Sequence, residues 1–221
     1  MTTERGYTTG RARRERIIAA ATALFGRVGF NSATMLEIAQ VCEISRAGLA
    51  HHFPTKESLM EAVLETRDLE DRERFRRNGS QGQDGIGILR GMVDLARHNT
   101  EVGGIIALYA VLSAEAADPS HPAHEYFVRR YQRIRSGTAK ALRDARVAGH
   151  LAPHVDEDRA AAELTALMDG LQLQWLLDPT SVDMAETVRR RIEELLVVPL
   201  AVAGSPGAGE HVATISTSAR A

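Results

Sequence analysis

The sequence has little cysteine and little lysine, and it lacks a long apolar run. Cys42 is its one cysteine, and Lys56 and Lys140 are its two lysines. One thiol cannot form an intramolecular disulfide, which favours a reducing compartment over a secreted, disulfide-bonded fold. The longest apolar stretch, at 102–114, is interrupted by two glycines and is shorter than the roughly 20 residues that a bilayer requires. We therefore expect a cytoplasmic chain without a membrane span.

Recognisable catalytic motifs are also missing. The sequence contains no G-x-S-x-G, no G-x-x-x-x-G-K-[ST] and no C-x-x-C, which are the short signatures of hydrolases, nucleotide-binding loops and paired thiols. The first 16 residues are polar and arginine-rich and do not resemble a secretory signal. We therefore expect neither an enzyme nor a cofactor, although an enzyme without a recognisable motif stays an alternative.

One cluster has side chains that bind metals in other proteins. Its members are Asp118, His121, His124 and Glu125. Pro119 and Pro122 lie among them, so a polar turn between helices explains the segment better than a metal site. We expect no metal there.

Charge is unevenly distributed along the chain. The whole sequence has a net charge of −2. Residues 1–56 hold eight basic and four acidic side chains, whereas the remainder holds 19 and 25. Such an asymmetry is expected when one end of a protein meets phosphate and the other does not. Chance clustering on solvated helix faces is the alternative.

Apolar spacing and capping residues predict a three-helix N-terminal unit. Apolar residues share one face of a first helix at about 11–28. Thr34 begins a capping box with Glu37, which marks the start of a second helix. Ser45 caps a third helix, and Pro54 ends it. A long amphipathic helix followed by two short helices and a tight turn is typical of a helix-turn-helix that binds the DNA major groove.

The rest of the chain also predicts helices, and no strand alternation is present. Thr55 can cap a fourth helix that reaches about residue 77, and a loop is expected at 78–87. Further helices are expected at about 86–99, 102–117, 122–149, 157–177 and 182–202. The fold class is therefore all-α. The predicted divisions are a flexible arm at 1–10, a DNA-binding domain at 11–56 with its helix-turn-helix at about 34–53, a helical body at 57–203 and a disordered tail at 204–221.

Residues 45–53 form the predicted recognition helix. Arg46 lies in its first turn, where a guanidinium can bind guanine O6 and N7 together; a phosphate contact is the alternative. His51 is a candidate for a phosphate or base contact, whereas His52 is expected to pack locally. The other predicted DNA-binding residues are Thr34, Ser45, Ala47, Ala50 and Lys56, of which Thr34 and Lys56 lie near helix starts that can anchor phosphate.

Three arginines precede or begin the first helix. Arg11, Arg13 and Arg14 can follow a neighbouring DNA backbone or the minor groove. A solvated arm is the alternative for this segment.

These landmarks resemble the TetR family of regulators. They occur in order between residues 17 and 59, at 17–21, 24–25, 29–30, 34, 37–39, 45–46, 49, 51–54 and 56–59. The stretches 125–134 and 167–179 are similar to the BetI-type C-terminal domain of that family. The resemblance implies an all-helical homodimer with an effector-binding and dimerisation domain, which binds double-stranded operator DNA and usually represses until a ligand relieves it.

A dimer is also expected from geometry, because one short recognition helix covers few base pairs. Two-fold pairing supplies half-sites about 34 to 36 Å apart on a palindromic operator. The apolar faces of the last two helices are the predicted interface, with intramolecular core as the alternative, and their members are Leu164, Leu171, Ile192, Leu195 and Leu196.

The small-molecule effector is not named by the sequence. The predicted pocket residues are Met92, Tyr109, Leu112, Phe127, Met168, Gln172 and Trp175, each of which could instead belong to the core. A pocket with this lining would take a largely apolar molecule. A helical protein-interaction adaptor stays an alternative function, but it would not explain the helix-turn-helix landmarks.

Two positions depart from the family pattern. Glu43 stands at a turn position that glycine usually holds, and a left-handed backbone there would cost on the order of 1 kcal/mol. Ala50 replaces an aromatic residue, usually tyrosine, that contacts phosphate in many members. DNA binding should therefore depend more heavily on Arg46, Thr34 and Lys56.

Overall fold

The computed structural model describes residues 3–79 and 85–200, with side chains from residues 10–74 and 85–200. Within these residues the secondary structure is helical, apart from one isolated β-bridge between Leu151 and Leu196, and the all-α prediction is confirmed. The helices are α1 (Thr3–Val28), α2 (Met35–Val41), α3 (Arg46–His52), α4 (Lys56–Gly79), α5 (Ile86–Asn99), α6 (Gly103–Glu115), α7 (His124–Val147), α8 (Glu157–Leu177) and α9 (Met184–Glu193).

Short polar side chains fix the starts of α2, α3 and α4, as predicted. The Thr34 hydroxyl accepts a hydrogen bond from the Glu37 amide at 3.2 Å, and the Glu37 carboxylate accepts one from the Thr34 amide at 2.9 Å. Ser45 Oγ accepts from the Gly48 amide at 3.0 Å. Thr55 Oγ1 accepts from the Ser58 amide at 3.1 Å. Each bond satisfies an amide that the first helical turn leaves unpaired.

Two helix boundaries differ from the sequence expectation. α1 begins at Thr3, so residues 3–10 are helical instead of forming the predicted arm; no proline occurs there to prevent the helix from extending. α9 ends at Glu193 instead of near residue 202. The chain beyond α9 pairs with the segment after α7, since the Ala152 amide donates to Leu195 O at 2.9 Å and the Val197 amide to His150 O at 2.8 Å.

Helix also occupies both ends of the loop that was predicted at 78–87. α4 continues to Gly79 and α5 begins at Ile86. Residues 80–84 and the predicted tail from Gly204 lie outside the described residues.

Buried apolar side chains form two clusters. The first, here called the N-terminal core, gathers side chains from α1 to α4, from α6 and from the start of α7, and it includes Phe25, Leu49 and Phe127. The second, the C-terminal core, gathers α5, the second half of α7, α8 and α9, and it includes Leu142 and Leu164. The DNA-binding helices therefore share a core with α6, and the packing does not divide at residue 56.

Two glycines allow α1 and α6 to approach closely. A Cβ atom added to Gly26 would lie 3.0 Å from the Gly104 carbonyl carbon, and one added to Gly104 would lie 3.2 Å from Gly26 O. Only glycine leaves room for such a backbone contact. α6 is thus fixed directly against the long helix of the N-terminal unit.

Candidate DNA-binding surface and the body behind it

The helix-turn-helix is built by α2, α3 and the turn between them. Ile38, Ala39 and Leu49 are buried where the two helices pack. The turn contains Glu43 with a φ of +54°, which confirms the left-handed backbone expected there. The Ile44 amide closes the turn by donating to Ala39 O at 3.0 Å. The structure therefore keeps the tight turn with a residue that lacks the conformational freedom of glycine.

The predicted reading face of α3 is exposed to solvent. Arg46, Ala47, Ala50 and His51 are all exposed, as is the cap residue Ser45. Helical spacing places Ala47 and His51 opposite buried Leu49, whereas Ser45 and Arg46 are exposed at the start of the helix. Arg46 makes no hydrogen bond or ion pair with any residue that the structure describes, so its guanidinium donors are available to a ligand.

Arginines of α1 lie beside the recognition helix. The Arg14 guanidinium carbon lies 4.9 Å from the centre of the Phe53 ring, at the C-terminal cap of α3, and Arg13 is exposed. Burial lowers the pKa of His52, and the nearby His51 and α1 arginines lower it further. His52 is half-buried, which agrees with the local packing expected for it.

The ammonium of Lys56, a predicted phosphate anchor, is engaged within the protein. Its Nζ donates to Phe30 O at 3.0 Å, to Asn31 O at 3.3 Å and to Ala33 O at 3.1 Å, and it lies 4.4 Å from the centre of the Phe30 ring. An ammonium has three donors, and all three have acceptors here. Lys56 therefore fixes the connection between α1 and α2, and its phosphate contact stays a prediction.

Thr34 is similarly engaged within the protein. Its hydroxyl donates to Glu37 Oε2 at 2.7 Å while it caps α2. These hydrogen bonds from Thr34 lower the pKa of Glu37, so a carboxylate already occupies the start of the helix. The side chain of Thr34 is exposed, but its donor is directed at Glu37 and not at solvent.

The predicted effector residues are not brought together in one cavity. Tyr109, Leu112 and Phe127 belong to the N-terminal core, whereas Met92 and Met168 belong to the C-terminal core. The single predicted pocket is therefore replaced by two packed regions. Gln172 is half-buried on α8, and Trp175 packs against the C-terminal core and lines a cleft.

A buried polar network holds α4 against α6 and α7, and no local sequence pattern predicts it. Tyr109 Oη donates to Leu64 O at 2.7 Å, and Tyr126 Oη lies 3.0 Å from Tyr109 Oη. Burial raises the pKa of both tyrosines, which keeps their hydroxyls protonated. Buried Asp68 accepts from Arg130 Nε at 3.0 Å and also pairs with Arg133. The partners are separated by 17 to 65 positions, so only the tertiary fold brings them together.

A cleft of about 540 Å³ opens in the body. It lies between the end of α5, the connection from α8 to α9 and the start of α9. Val93, Trp175 and Met184 contribute apolar surface, and Arg97 and Glu186 contribute charged groups.

The predicted interface leucines and isoleucine are core residues of the single chain. Leu164, Leu171, Ile192, Leu195 and Leu196 are all buried, which agrees with the alternative of intramolecular core. The exposed side of α8 carries small and apolar residues at a spacing of three and four. This α8 stripe consists of Ala162, Ala166, half-buried Gly170, Leu173 and Leu177, with Leu173 54% and Leu177 80% exposed.

The candidate metal cluster is a polar turn. The Asp118 carboxylate accepts from the Ser120 amide at 2.9 Å, and His124 Nδ1 lies 2.8 Å from Ala116 O. Within residues 3–79 and 85–200 no group of three or more possible ligands is placed to hold a metal ion. No helix in the same ranges is long and apolar enough to span a membrane.

Two family models match the chain. Residues 17–63 match the model described as bacterial regulatory proteins, tetR family, and residues 107–197 match the BetI-type transcriptional repressor, C-terminal. The first match covers α2 and α3 with their turn, and the second covers α7, α8 and α9.

Similar proteins have names that agree with these matches. The HTH-type transcriptional regulator UidR of Escherichia coli is 30% identical over 173 residues, which cover 78% of this chain and 84% of UidR. The structure of Salmonella enterica GusR superposes with a TM-score of 0.65 at 29% identity, covering 84% of this chain and 95% of GusR.

A third similarity concerns the fold. The SmeT–triclosan complex, whose protein represses an efflux pump of Stenotrophomonas maltophilia, superposes with a TM-score of 0.74 at 21% identity. The match covers 88% of this chain and 96% of that chain. Exposed α3, the two matching family models and the identity to UidR agree, and this chain belongs to the TetR family of bacterial transcriptional regulators.

Proposed function

We propose that this protein is a ligand-responsive repressor that binds a palindromic operator as a homodimer in the cytoplasm. The observation that carries the proposal is the exposed, unpaired guanidinium of Arg46 at the start of a capped helix. A recognition helix enters the major groove with its N-terminal residues against base edges. Arg46 occupies that position, and its fork of donors matches guanine O6 and N7.

The other residues of the α3 face support the same docking. Ser45, Ala47 and Ala50 are small and exposed, so they permit close approach of the helix to the groove, and an alanine methyl can contact thymine. We propose a phosphate or base contact for His51, which is also exposed. Arg14 adds positive charge beside the end of α3, where it favours the phosphate backbone.

The α8 stripe supports dimerisation. Ala166 and Gly170 permit two helices to approach closely, while Leu173 and Leu177 offer apolar area that is exposed in the single chain. Two copies of the stripe related by a two-fold axis would cover each other, as a self-complementary dimer interface requires. Such pairing would supply the second recognition helix.

Ligand response is supported by the open cleft in the body and by the family to which the chain belongs. The name of one structural neighbour records a complex with triclosan. For this chain we propose release of the operator when a small molecule binds the body.

Fluorescence anisotropy with DNA from upstream of its own gene tests the proposal. We expect saturable binding that competitor DNA of scrambled sequence does not displace, with affinity falling steeply as salt rises because phosphate contacts release counterions. Equal affinity for the promoter and the scrambled fragment would contradict a sequence-specific regulator and would favour the adaptor or enzyme alternatives.

A further inference from the structure

The cleft of the body has the size of a small-molecule site. Its volume of about 540 Å³ lies inside the range of roughly 300 to 1,000 Å³ that ligand pockets occupy. Trp175 provides the aromatic surface of the cleft, and Val93, Val182 and Met184 provide aliphatic surface. The indole N–H of Trp175 donates to no residue that the structure describes. The site differs from the predicted pocket, with which it shares Trp175 alone.

The charged groups around the cleft already have partners. Arg189 donates to both carboxylate oxygens of Glu186 at 2.7 Å, and it also pairs with Glu193. These bonds and one from Arg190 lower the pKa of Glu186 to about 2. Arg97, another residue of the lining, donates to Asp94 at 3.0 Å.

The one remaining carboxylate of the lining is also engaged. Asp183 accepts from the Glu186 amide at 2.9 Å as the N-cap of α9. A charged ligand would lose hydration without gaining an unpaired counter-charge, which is unfavourable. An uncharged molecule has no such penalty, and it can bury apolar area against Trp175.

Trp175 connects the cleft to the DNA-binding unit. A Cβ atom added to Gly103 would lie 3.2 and 3.3 Å from two atoms of the indole ring, so the start of α6 rests on Trp175. The next residue, Gly104, meets Gly26 of α1. α1 packs on α2 and α4 in the N-terminal core. A displacement of Trp175 can therefore reach α1, the helix that supports the recognition unit, through two contacts: Trp175 with Gly103, and Gly104 with Gly26.

From this geometry we propose that the cleft binds an uncharged molecule whose flat apolar face packs against Trp175, and that occupancy alters operator affinity through Gly103, Gly104 and Gly26. The binding step depends only on the observed cleft and not on the proposed function. The second step rests on the proposed function, because it requires that the protein bind an operator.

The binding step is tested with two fluorescent probes that share one skeleton. N-phenyl-1-naphthylamine is uncharged, and 8-anilino-1-naphthalenesulfonate adds a sulfonate. Trp175 is the one tryptophan of the sequence, so quenching of its emission reports binding nearby. We expect the uncharged probe to quench Trp175 and to bind at least about ten-fold more tightly than the anion, since the sulfonate would be desolvated without a partner. Equal affinities would contradict the charge assignment.

A variant that fills the cleft locates the site. Ala185 lines the cleft, whereas Ala148 is exposed at the end of α7. We expect Ala185→Phe to weaken binding of N-phenyl-1-naphthylamine about ten-fold or more by occupying its volume, with Ala148→Phe unchanged. Circular dichroism establishes that both variants are folded. Wild-type affinity in folded Ala185→Phe would overturn the site.

The coupling step is tested by operator affinity with and without saturating N-phenyl-1-naphthylamine. We expect the probe to change the affinity of the wild type at least about five-fold, which corresponds to a coupling free energy of the usual order. In Gly26→Ala the added methyl separates α1 from α6, so the probe should still bind but the change should shrink. Gly10→Ala is the matched control, because a Cβ atom there has no neighbour within 4 Å.

The outcomes separate the two proposals. A wild type that binds the probe at Trp175 but binds no operator fragment contradicts the proposed function and leaves the cleft assignment intact. The coupling path is overturned if operator affinity does not change when the probe binds. It is also overturned if the change in Gly26→Ala equals that of the wild type.

Discussion

The N-terminal three-helix unit and the helical body of this protein are organised by different kinds of interaction. In the N-terminal unit, caps and a turn that involve residues three to five positions apart fix α2, α3 and the start of α4. In the body, the positions of side chains depend on packing between helices far apart in sequence, as for Tyr109 against Leu64 and Arg130 against Asp68. Local rules therefore define the DNA-binding surface, and long-range packing defines the cleft and the interface.

The two regions also differ in what they leave exposed. The N-terminal unit exposes a small, basic face on α3, while the body exposes the apolar α8 stripe and an open cleft. In the proposed function the α3 face binds DNA, the α8 stripe pairs with a second copy, and the cleft takes a ligand. The following predictions, from the largest expected effect to the smallest, test this division.

Ala166→Arg should break the dimer. The substitution places two charges at the centre of the proposed α8 interface, where each would be desolvated without a partner. We expect a monomer by sedimentation at concentrations where the wild type is a dimer, and operator affinity should fall by at least about 3 kcal/mol, the scale of a lost partner at a buried charge. Ala148→Arg is the control, since its site is exposed at the far end of α7. A dimeric Ala166→Arg protein would show that another surface mediates assembly.

Arg46→Ala should weaken specific operator binding by roughly 1 to 3 kcal/mol through loss of a base contact. The body should be unaffected, so dimerisation and thermal unfolding should match those of the wild type. Anisotropy titrations measure the effect, with Arg129→Ala as the control because Arg129 is an exposed arginine of α7. Unchanged affinity would remove Arg46 from the reading role.

Glu43→Gly should raise the free energy of unfolding by about 1 kcal/mol, because glycine accepts a positive φ without steric cost. Denaturant unfolding measures the change. The same substitution at exposed Gln40, inside α2, should lower stability by about 1 kcal/mol, since glycine disfavours a helix interior. A lower free energy of unfolding for Glu43→Gly would mean that the glutamate side chain stabilises the turn by more than the left-handed backbone costs.

Ala50→Tyr should raise operator affinity by about 1 kcal/mol, the value of one added hydrogen bond to phosphate. The position is exposed on α3, so the ring needs no repacking of the core. Ala50→Phe has the same ring without the hydroxyl and should gain less in anisotropy titrations. Equal affinities for the two variants would exclude the phosphate hydrogen bond.

What could be predicted from the sequence follows the same division. The caps at Thr34 and Ser45 and the left-handed turn at Glu43 were predictable, because each depends on atoms a few residues apart. The engagement of the Lys56 ammonium within the protein was not predictable. Its three carbonyl partners come from residues 30, 31 and 33, and charge alone gives no indication of them.

In the helical body, the spacing of apolar residues does not show which elements cover each face of a helix. α8 has apolar residues on both sides, so the spacing of Leu164 and Leu171 reveals an apolar face without revealing that other helices of the same chain cover it. Likewise, the types of residue at Met92 and Tyr109 fit a pocket, but their separation into two cores depends on how α5 and α6 pack. Such assignments need the tertiary structure.

The central claim is that α3 reads DNA as one half of a symmetric pair. A footprint on the DNA upstream of its own gene tests it most directly. The account predicts two protected half-sites, related by two-fold symmetry and centred about one helical turn or a multiple of it apart, which disappear together in Arg46→Ala. Protection without symmetry, or a footprint that Arg46→Ala leaves unchanged, would contradict it.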